Sequence, residues 1–448
     1  MTCHRRTLGG RRDLLAPAAA FAQRYPCLLE SVVRGTAQSR YDILFAFPRE
    51  QLILHADGSL RDGAGAPCSR RFLDALDAAW QTEREPPHDD GLPFHGGWVV
   101  WLAYELAGEI EPTLRLKSLE ALPLALAVRC PAAAIVDHVR DCTILVAETG
   151  HENLLDLLEA DLAVASQVPA LTAPLSHDED EPQHFLDGVA RIHEHLHAGD
   201  IFQVNLSRAW RVRHAEPPSA ASLYAALRKA NPAPFAGLLQ QPGWAVASSS
   251  PERLVEVRAG IAQTRPIAGT RPRLPGDDEP ARIRELGAHP KERAEHVMLI
   301  DLERNDLGRV CVPGTVEVDE LMTVESYTHV HHIVSNVRGR LRDGVTPGQV
   351  IAATFPGGTI TGCPKVRCME IIAALEDAPR GAYTGALGYL DRDGGLDLNI
   401  LIRTLTQVGN ETCLRAGAGI VADSVAASEL DETRAKARGL LRALGVPE

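Results

Sequence analysis

The chain holds nine cysteines but no C-x-x-C pair and no ladder of Cys/His ligand spacings. That absence argues against a structural zinc site or a disulfide framework and reads as reduced cysteines in a cytoplasmic protein. Long apolar runs are missing too. The nearest candidate for a membrane span, GGWVVWLAYELAGEI at 96–110, is broken by Glu105 and Glu109. Positive charge is in deficit, with 46 Lys and Arg against 59 Asp and Glu. The net charge of −13 excludes a general nucleic-acid binder, which needs a clustered basic surface. Neither a Walker A loop nor a G-x-G-x-x-G fingerprint occurs, so the usual nucleotide cradles are absent. Nucleophilic hydrolase chemistry lacks its G-x-S-x-G or Cys/His arrangement.

What is present is ordinary globular composition over 448 residues, enough for one large core or two domains. The N-terminal MTCHRRTLGGRRDLLAPAAAFAQRYP places Arg pairs before a short apolar run containing Pro17. It reads as an amphipathic or poorly ordered extension and not as an export signal. Residues 1–167 alternate short β-like runs with helical patterns and form a first region. The Pro- and acid-rich 168–183 reads as a linker or exposed loop. Residues 184–446 form a second region with hairpin signals at DRDGG (391–395) and VGNET (408–412), which imply antiparallel pairing. Helical patterns lie between its strands at 279–306, 346–355, 363–376 and 428–445. The expected fold class is therefore α+β, a sandwich of antiparallel β-sheets with helices packed outside.

Several groupings point to chemistry. Glu292 and Glu295 share a helix face, and Glu429 and Glu432 repeat the spacing with Lys436 four residues on. Two such pairs suit a hard cation such as Mg²⁺; each alone is equally a solvated helix face with a weak ion pair. The glycine-rich FPGGTITGCPK (355–365) and RAGAGIVADS (415–424) offer backbone N–H groups to an anion such as a carboxylate, or serve as plain turns. Arg403 sits in the strand-like NILIRTL, where a guanidinium is costly unless it meets a carboxylate. The basic strip TRPIAGTRPR (264–273) suggests an anion site in an acidic chain, while Tyr383 and His332 are compatible with satisfied core residues.

Together these stretches resemble the chorismate-utilising enzymes, a family that includes the anthranilate, aminodeoxychorismate, isochorismate and salicylate synthases. The motifs are GDIFQVNLSR (199–208), SSSPERL (248–254), RPIAGTRPR (265–273), KERAEHVMLIDLERNDLGRV (291–310), VHHIVS (330–335), FPGGTITGCPKVRCMEII (355–372), GAYTGALGY (381–389), LNILIRT (398–404) and GAGIVADS with ELDET (417–433). CLLES (27–31) and PFHGGWVVWLAYELAG (93–108) extend the likeness into the N-terminal region.

The resemblance implies chorismate as substrate and Mg²⁺ as cofactor. It implies that Glu295 and Glu432 hold the ion, with Glu292 and Glu429 supporting through water and Lys436 beside the ring carboxylate. Arg403, Tyr383, Gly417 and Gly419 match groups around the enolpyruvyl carboxylate, and Gly269 and Thr270 match ring-binding positions. Glu252 matches the acid that protonates the departing C4 hydroxyl, and His332 falls in a further catalytic motif. Gln203 stands where water-activating members carry lysine, which disfavours isochorismate and salicylate formation.

QVNLS, NPAPFAG (231–237) and PGGTITG resemble the members that make 4-amino-4-deoxychorismate for 4-aminobenzoate and folate. Ala268 replaces the covalent lysine of many of these and favours the alternative, anthranilate. Leu29, Glu30 and Ser31 of CLLES match part of a tryptophan pocket, so a non-catalytic chorismate-fold regulatory subunit is a second alternative. No G-x-C-x-G-x-Q segment is present, which implies ammonia from a separate glutamine amidotransferase subunit (component II) or from solution.

Overall fold

The computed structural model describes residues 3–33, 39–164, 167–272, 284, 290–326 and 330–447, with the side chains of 270–272, 290, 291, 330 and 331 outside that description. Residues 279–289 of one expected helix, except Arg284, and Arg273 of the basic strip lie outside the described residues.

Two large antiparallel sheets form the frame, each of twelve strands among the described residues. In the first sheet, Cys3–Gly9, Cys142–Glu148, Ala132–Asp137, Tyr41–Ala46 and Cys27–Glu30 lie side by side. They continue into Phe235–Gln241, Trp244–Ser250, Thr404–Val408, Glu411–Ile420, Gln203–Arg213 and Ser176–Glu179. In the second sheet, Gly97–Leu102 pairs with Ala386–Asp391, so N- and C-terminal strands are again adjacent. Both sheets thus run across the regions 1–167 and 184–446. Ser176–Glu179 of the expected connector adds an exposed edge strand against Gln203–Arg213.

Period-two patterning explains the layers. On Gly97–Leu102, Val99 and Trp101 enter one apolar cluster while Trp98, Val100 and Leu102 enter another. On Ala132–Asp137, Ala133 and Ile135 share the cluster of Val99 and Trp101, and Ala134 and Val136 face a third. Alternate side chains of one strand point to opposite faces, so a continuous apolar run is what a strand covered on both faces requires. The middle cluster joins Phe45, Ile135 and Val146 of the first sheet to Trp101 and Leu387 of the second. The outer clusters add Leu158, Tyr224, Leu227 and Leu440 over the first sheet, and Leu76, Ile192, Leu307 and Ile371 elsewhere. The α+β sandwich with outer helices is the observed architecture.

The expected N-terminal extension is a correction. Cys3–Gly9 pairs along its length with Cys142–Glu148, and Leu14 and Leu15 are buried beyond it. The Arg-rich strand can be polar on one face because it lies at a sheet edge, where Arg6 meets Asp156 and Glu159. No helix among the described residues is long and apolar enough to cross a membrane.

Candidate active site

The chain changes sheets twice at one place. Trp244–Ser250 belongs to the first sheet and Arg253–Arg258 to the second, with Glu252 between them. Leu396–Ile400 belongs to the second and Thr404–Val408 to the first, with Arg403 between. Backbone hydrogen bonds stitch the crossings together: Ser249 N–H donates to Arg403 O at 3.1 Å and Ile400 N–H to Glu252 O at 3.0 Å. Arg403 has φ 52, a backbone conformation sparsely used by residues other than glycine and enriched at functional sites.

Each crossing carries an under-partnered charge. Glu252 is 6% exposed, and its Oε1 accepts from Thr359 Oγ1 at 2.8 Å. The other carboxyl oxygen makes no hydrogen bond among the described residues. Burial pushes the Glu252 carboxyl up to about 7, against smaller opposing pulls from Thr359 and Lys436. A carboxyl so placed holds a proton near neutrality and is poised to give it away. The Arg403 guanidinium makes no hydrogen bond or ion pair among the described residues. Burial lowers its pKa, and Tyr383 and Glu432 supply the opposing field. A buried guanidinium without a partner has the chemistry to receive a carboxylate.

Paired strands supply the floor. Gly417 lies opposite Ser207 and Gly419 opposite Asn205. A Cβ on Gly417 would stand 2.6 Å from Asn205 Oδ1 and 2.7 Å from Tyr383 OH, and one on Gly419 would collide with Gln203 Nε2. Glycine is needed there because three polar side chains converge on the strand. Tyr383 OH reaches Asn205 Oδ1 at 3.4 Å, and burial pushes its phenol up to about 12. Lys436 Nζ donates to Gly417 O at 2.9 Å and lies 2.6 Å from Glu432 Oε1. Gln203 Nε2 donates to Glu295 Oε1 at 2.9 Å. Glu295 on the helix Pro290–Gly308 and Glu432 on the helix Ala426–Ala443 therefore both reach the Gly417–Gly419 stretch through one intermediary.

Ala268 is buried on the strand Ile267–Pro272, which packs against the helix of Glu295. A bulge falls between Ala268 and Thr270, with Gly269 at φ 60, and Thr270 lies opposite the buried His332. The side chain of Thr270 is outside the described residues. Glu292 and Glu429 sit in the first turns of their helices, and both have partners. Among the described residues, no group of three or more His, Cys, Asp or Glu gathers as a metal site. Arg265 does not serve as an anion trap, because it is paired with Glu320 and Glu325, each at 2.6 Å.

Leu29, Glu30 and Ser31 line a separate cavity of about 480 Å³, together with Pro234 and Phe235 of NPAPFAG. Glu30 is engaged by Tyr224 OH at 2.8 Å and Arg228 at 3.1 Å. Arg253 and Asn399 also line it, so the residues next to Glu252 and Ile400 face this second space.

Sequence reasoning passed over Asn205, Thr359, Glu303, Asp306 and Lys365. All five lay inside quoted motifs, but none carried a spacing signal of its own. Lys365 meets Asp306 at 2.5 Å across 59 positions of sequence, a pairing that only the fold creates.

The chorismate binding enzyme family matches residues 32–442. A relative in Synechocystis sp., an anthranilate synthase component I-like protein, is 44% identical over 81% of this chain and 75% of its own. The aminodeoxychorismate synthase component 1 of Bacillus subtilis is 40% identical over 79% of this chain and 78% of its own. The crystal structure of anthranilate synthase component I from Streptococcus pneumoniae TIGR4 superposes with a TM-score of 0.82 and 29% identity, covering 91% of this chain and 93% of that one. With the family matched over most of the chain, the sheet crossings that bear Glu252 and Arg403 belong to a chorismate-binding enzyme.

Proposed function

We propose that the protein converts chorismate and ammonia to 4-amino-4-deoxychorismate, a precursor of 4-aminobenzoate, with Mg²⁺ as cofactor. One observation carries the chemistry: Glu252 is a buried carboxyl with one oxygen free, at a sheet crossing that backbone hydrogen bonds stitch to the crossing of the unpaired Arg403. Arg403, with Tyr383 and the amides of Gly417 and Gly419, receives a substrate carboxylate. Glu252 delivers its proton to the C4 hydroxyl, so the carbon–oxygen bond breaks with water as the leaving group. Gln203 supports amination over hydration, because an amide that donates to Glu295 cannot deprotonate water, whereas ammonia is already a nucleophile.

Mg²⁺ takes one or two carboxylates and fills the rest of its shell with substrate oxygens and water. Glu295 and Glu432 fit such a set, since both are oxygen donors reaching the same stretch of strand. Glu292 and Glu429 would support them through water. When bound, the ion would draw electron density from the ring through a substrate carboxylate.

The choice of product rests on QVNLS, NPAPFAG and PGGTITG. Anthranilate formation is the second reading, favoured by Ala268, and the names of the relatives include both activities. Ammonia would come from a separate glutamine amidotransferase subunit or from solution.

The deciding experiment incubates the pure protein with chorismate, Mg²⁺ and ammonium. Aminodeoxychorismate should accumulate until an aminodeoxychorismate lyase is added. Pyruvate release by this chain alone, with fluorescent anthranilate, replaces the assignment by its alternative.

A further inference from the structure

The turn that carries Tyr383 is held from the N-terminal region. Glu105 stands on the turn Tyr104–Leu106, just beyond the strand Gly97–Leu102, and is 6% exposed. Its Oε1 accepts from the backbone N–H of Arg380 at 2.7 Å and of Gly381 at 3.2 Å, and its Oε2 accepts from Gly381 N–H at 3.1 Å. Tyr104 N–H donates in return to Gly381 O at 2.9 Å. Gly381 has φ 59, and a Cβ on Gly385 would collide with Leu102 O, so both ends of the turn lie close against N-terminal backbone. Arg380 extends the grip. Its guanidinium lies over the rings of Tyr104 and Tyr383, at 4.8 and 5.5 Å, and donates to Asn205 O at 2.8 Å and Ile360 O at 3.2 Å.

We propose that Glu105 is a positioning residue for the substrate site: by fixing the amides of Arg380 and Gly381 it sets where the Tyr383 hydroxyl stands over Gly417. The inference rests on Tyr383 receiving a substrate carboxylate. A Cβ on Gly417 would lie 2.7 Å from Tyr383 OH, so a small displacement of the Tyr383 ring opens or closes the space above that strand.

Tyr383 does little to place itself. Among the described residues its hydroxyl has one hydrogen-bond contact, Asn205 Oδ1 at 3.4 Å. The ring is therefore placed by its backbone and by Arg380, and Tyr104 and Glu105 hold both from 275 residues away. A buried carboxylate is a costly way to satisfy two amides, and burial pushes the Glu105 carboxyl up to about 7. What it supplies that a neutral partner does not is direction. Two charged oxygens meeting two consecutive N–H groups fix the turn in rotation as well as in distance.

The test measures kcat and KM for chorismate with the full chain, Mg²⁺ and saturating ammonium at pH 8, where Glu105 is largely ionised. Chorismate affinity is read separately by calorimetry without ammonium. In Glu105→Gln an amide N–H faces the N–H of Gly381, donor against donor. KM should rise about tenfold, the scale of one lost hydrogen bond, and calorimetric affinity should weaken by the same factor. The kcat should stay within about twofold, because a contact made equally in ground and transition states moves KM alone. Glu105→Asp, which keeps the charge but is one methylene shorter, should lie between. Tyr383→Phe should raise KM too, and adding Glu105→Gln to it should raise KM little further, since the two act through one contact. Factors that multiply in the double variant overturn the proposal. So does a fall in kcat with KM unchanged, the mark of a merely structural loss of active enzyme. A wild-type KM in Glu105→Gln beside a raised one in Tyr383→Phe overturns the positioning role and leaves the reading of Tyr383 standing. A wild-type KM and affinity in Tyr383→Phe overturn that reading and the proposal with it. Should Glu105→Gln fail to fold, a wild-type KM in Glu105→Asp overturns the proposal equally.

Discussion

Just past the helix Lys365–Leu375, Glu376 receives Arg380 Nη2 at 2.7 Å and Arg415 Nη2 at 3.0 Å. The amide and hydroxyl of Ser207 both donate to it at 2.9 Å. Glu252, equally buried, receives one hydroxyl. Burial pushes both carboxyls upward, but the two arginines outweigh it at Glu376 and hold that group below the ordinary carboxylate range. Nothing comparable opposes burial at Glu252, which rises to about 7. Burial alone therefore decides only the cost of a charge; the number of donors decides whether the charge is kept. One region satisfies every oxygen and acts as a clamp, and the other leaves an acid and the Arg403 cation open to a ligand.

The largest expected effect breaks the open region. Glu252→Gln should lower turnover by about 10²–10⁴-fold, the range for a lost general acid, while chorismate still binds. Its stability should move the other way. The folded state holds the Glu252 proton more tightly than the unfolded chain, so stability falls as pH rises from about 4.5 to about 7. Above that window the ionised, buried carboxylate costs the fold roughly 3 kcal/mol. Thermal melts at pH 8 should therefore show Glu252→Gln no less stable than wild type, and relatively more so than at pH 4. A lower Tm at pH 8 would show that the site is satisfied and that the contrast with Glu376 is false.

Glu376→Gln should do the reverse. It leaves Arg380, whose guanidinium also stacks over the rings of Tyr104 and Tyr383 at 4.8 and 5.5 Å, without a counter-charge. Removing one partner of a buried ion pair costs about 3–5 kcal/mol. Because the folded pKa of Glu376 is depressed, its contribution is present at neutral pH and lost on acidification through the folded value. Denaturant melts should show the largest deficit near pH 7 and a smaller one at strongly acid pH. An equal deficit at both would mean that shape, not charge, holds this region.

The two regions also differ in how far the sequence revealed them. The apolar run AAIVDH at 133–138 reads as β-like from its residues, and the strand Ala132–Asp137 is buried at every position. GWVVWL, weighed in the sequence within a membrane-span candidate, is a strand equally buried on both faces. Hairpin residues at 391–395 and 408–412 predicted the pairings that link Ala386–Asp391 to Leu396–Ile400 and Thr404–Val408 to Glu411–Ile420. Glu252, Arg403 and the glycines were reached through quoted motifs, and their convergence is a property of two sheet crossings with no local signal. Glu376 and Glu303 were missed because each reads as an ordinary helix glutamate. The meaning of Glu376 comes from partners such as Arg415, tens of residues away in sequence. The N-terminal strand was missed for a related reason: Arg5 and Arg6 look like a charged tail until Asp90, Asp156 and Glu159 arrive from elsewhere in the chain.

The smallest effect on stability, and the sharpest on the open region, belongs to Glu432. Its pairing with Lys436 spans one helical turn with the side chains 49% and 34% exposed. Such a pair contributes below about 1 kcal/mol, so Glu432→Ala should leave the melting profile nearly unchanged. If Glu432 and Glu295 share an ion, the same variant should raise the Mg²⁺ concentration for half-maximal activity by about tenfold, the low end for a weakened metal site, and weaken chorismate binding with it. Glu429→Ala, one turn earlier on the same helix, should shift that midpoint less if it acts only through water. Activity of Glu432→Ala that follows the wild-type Mg²⁺ titration would reduce the pair to a solvated helix face. The open region would then consist of Glu252 and Arg403 alone, with the activating charge supplied by Lys436, whose ammonium already lies against Gly417 O.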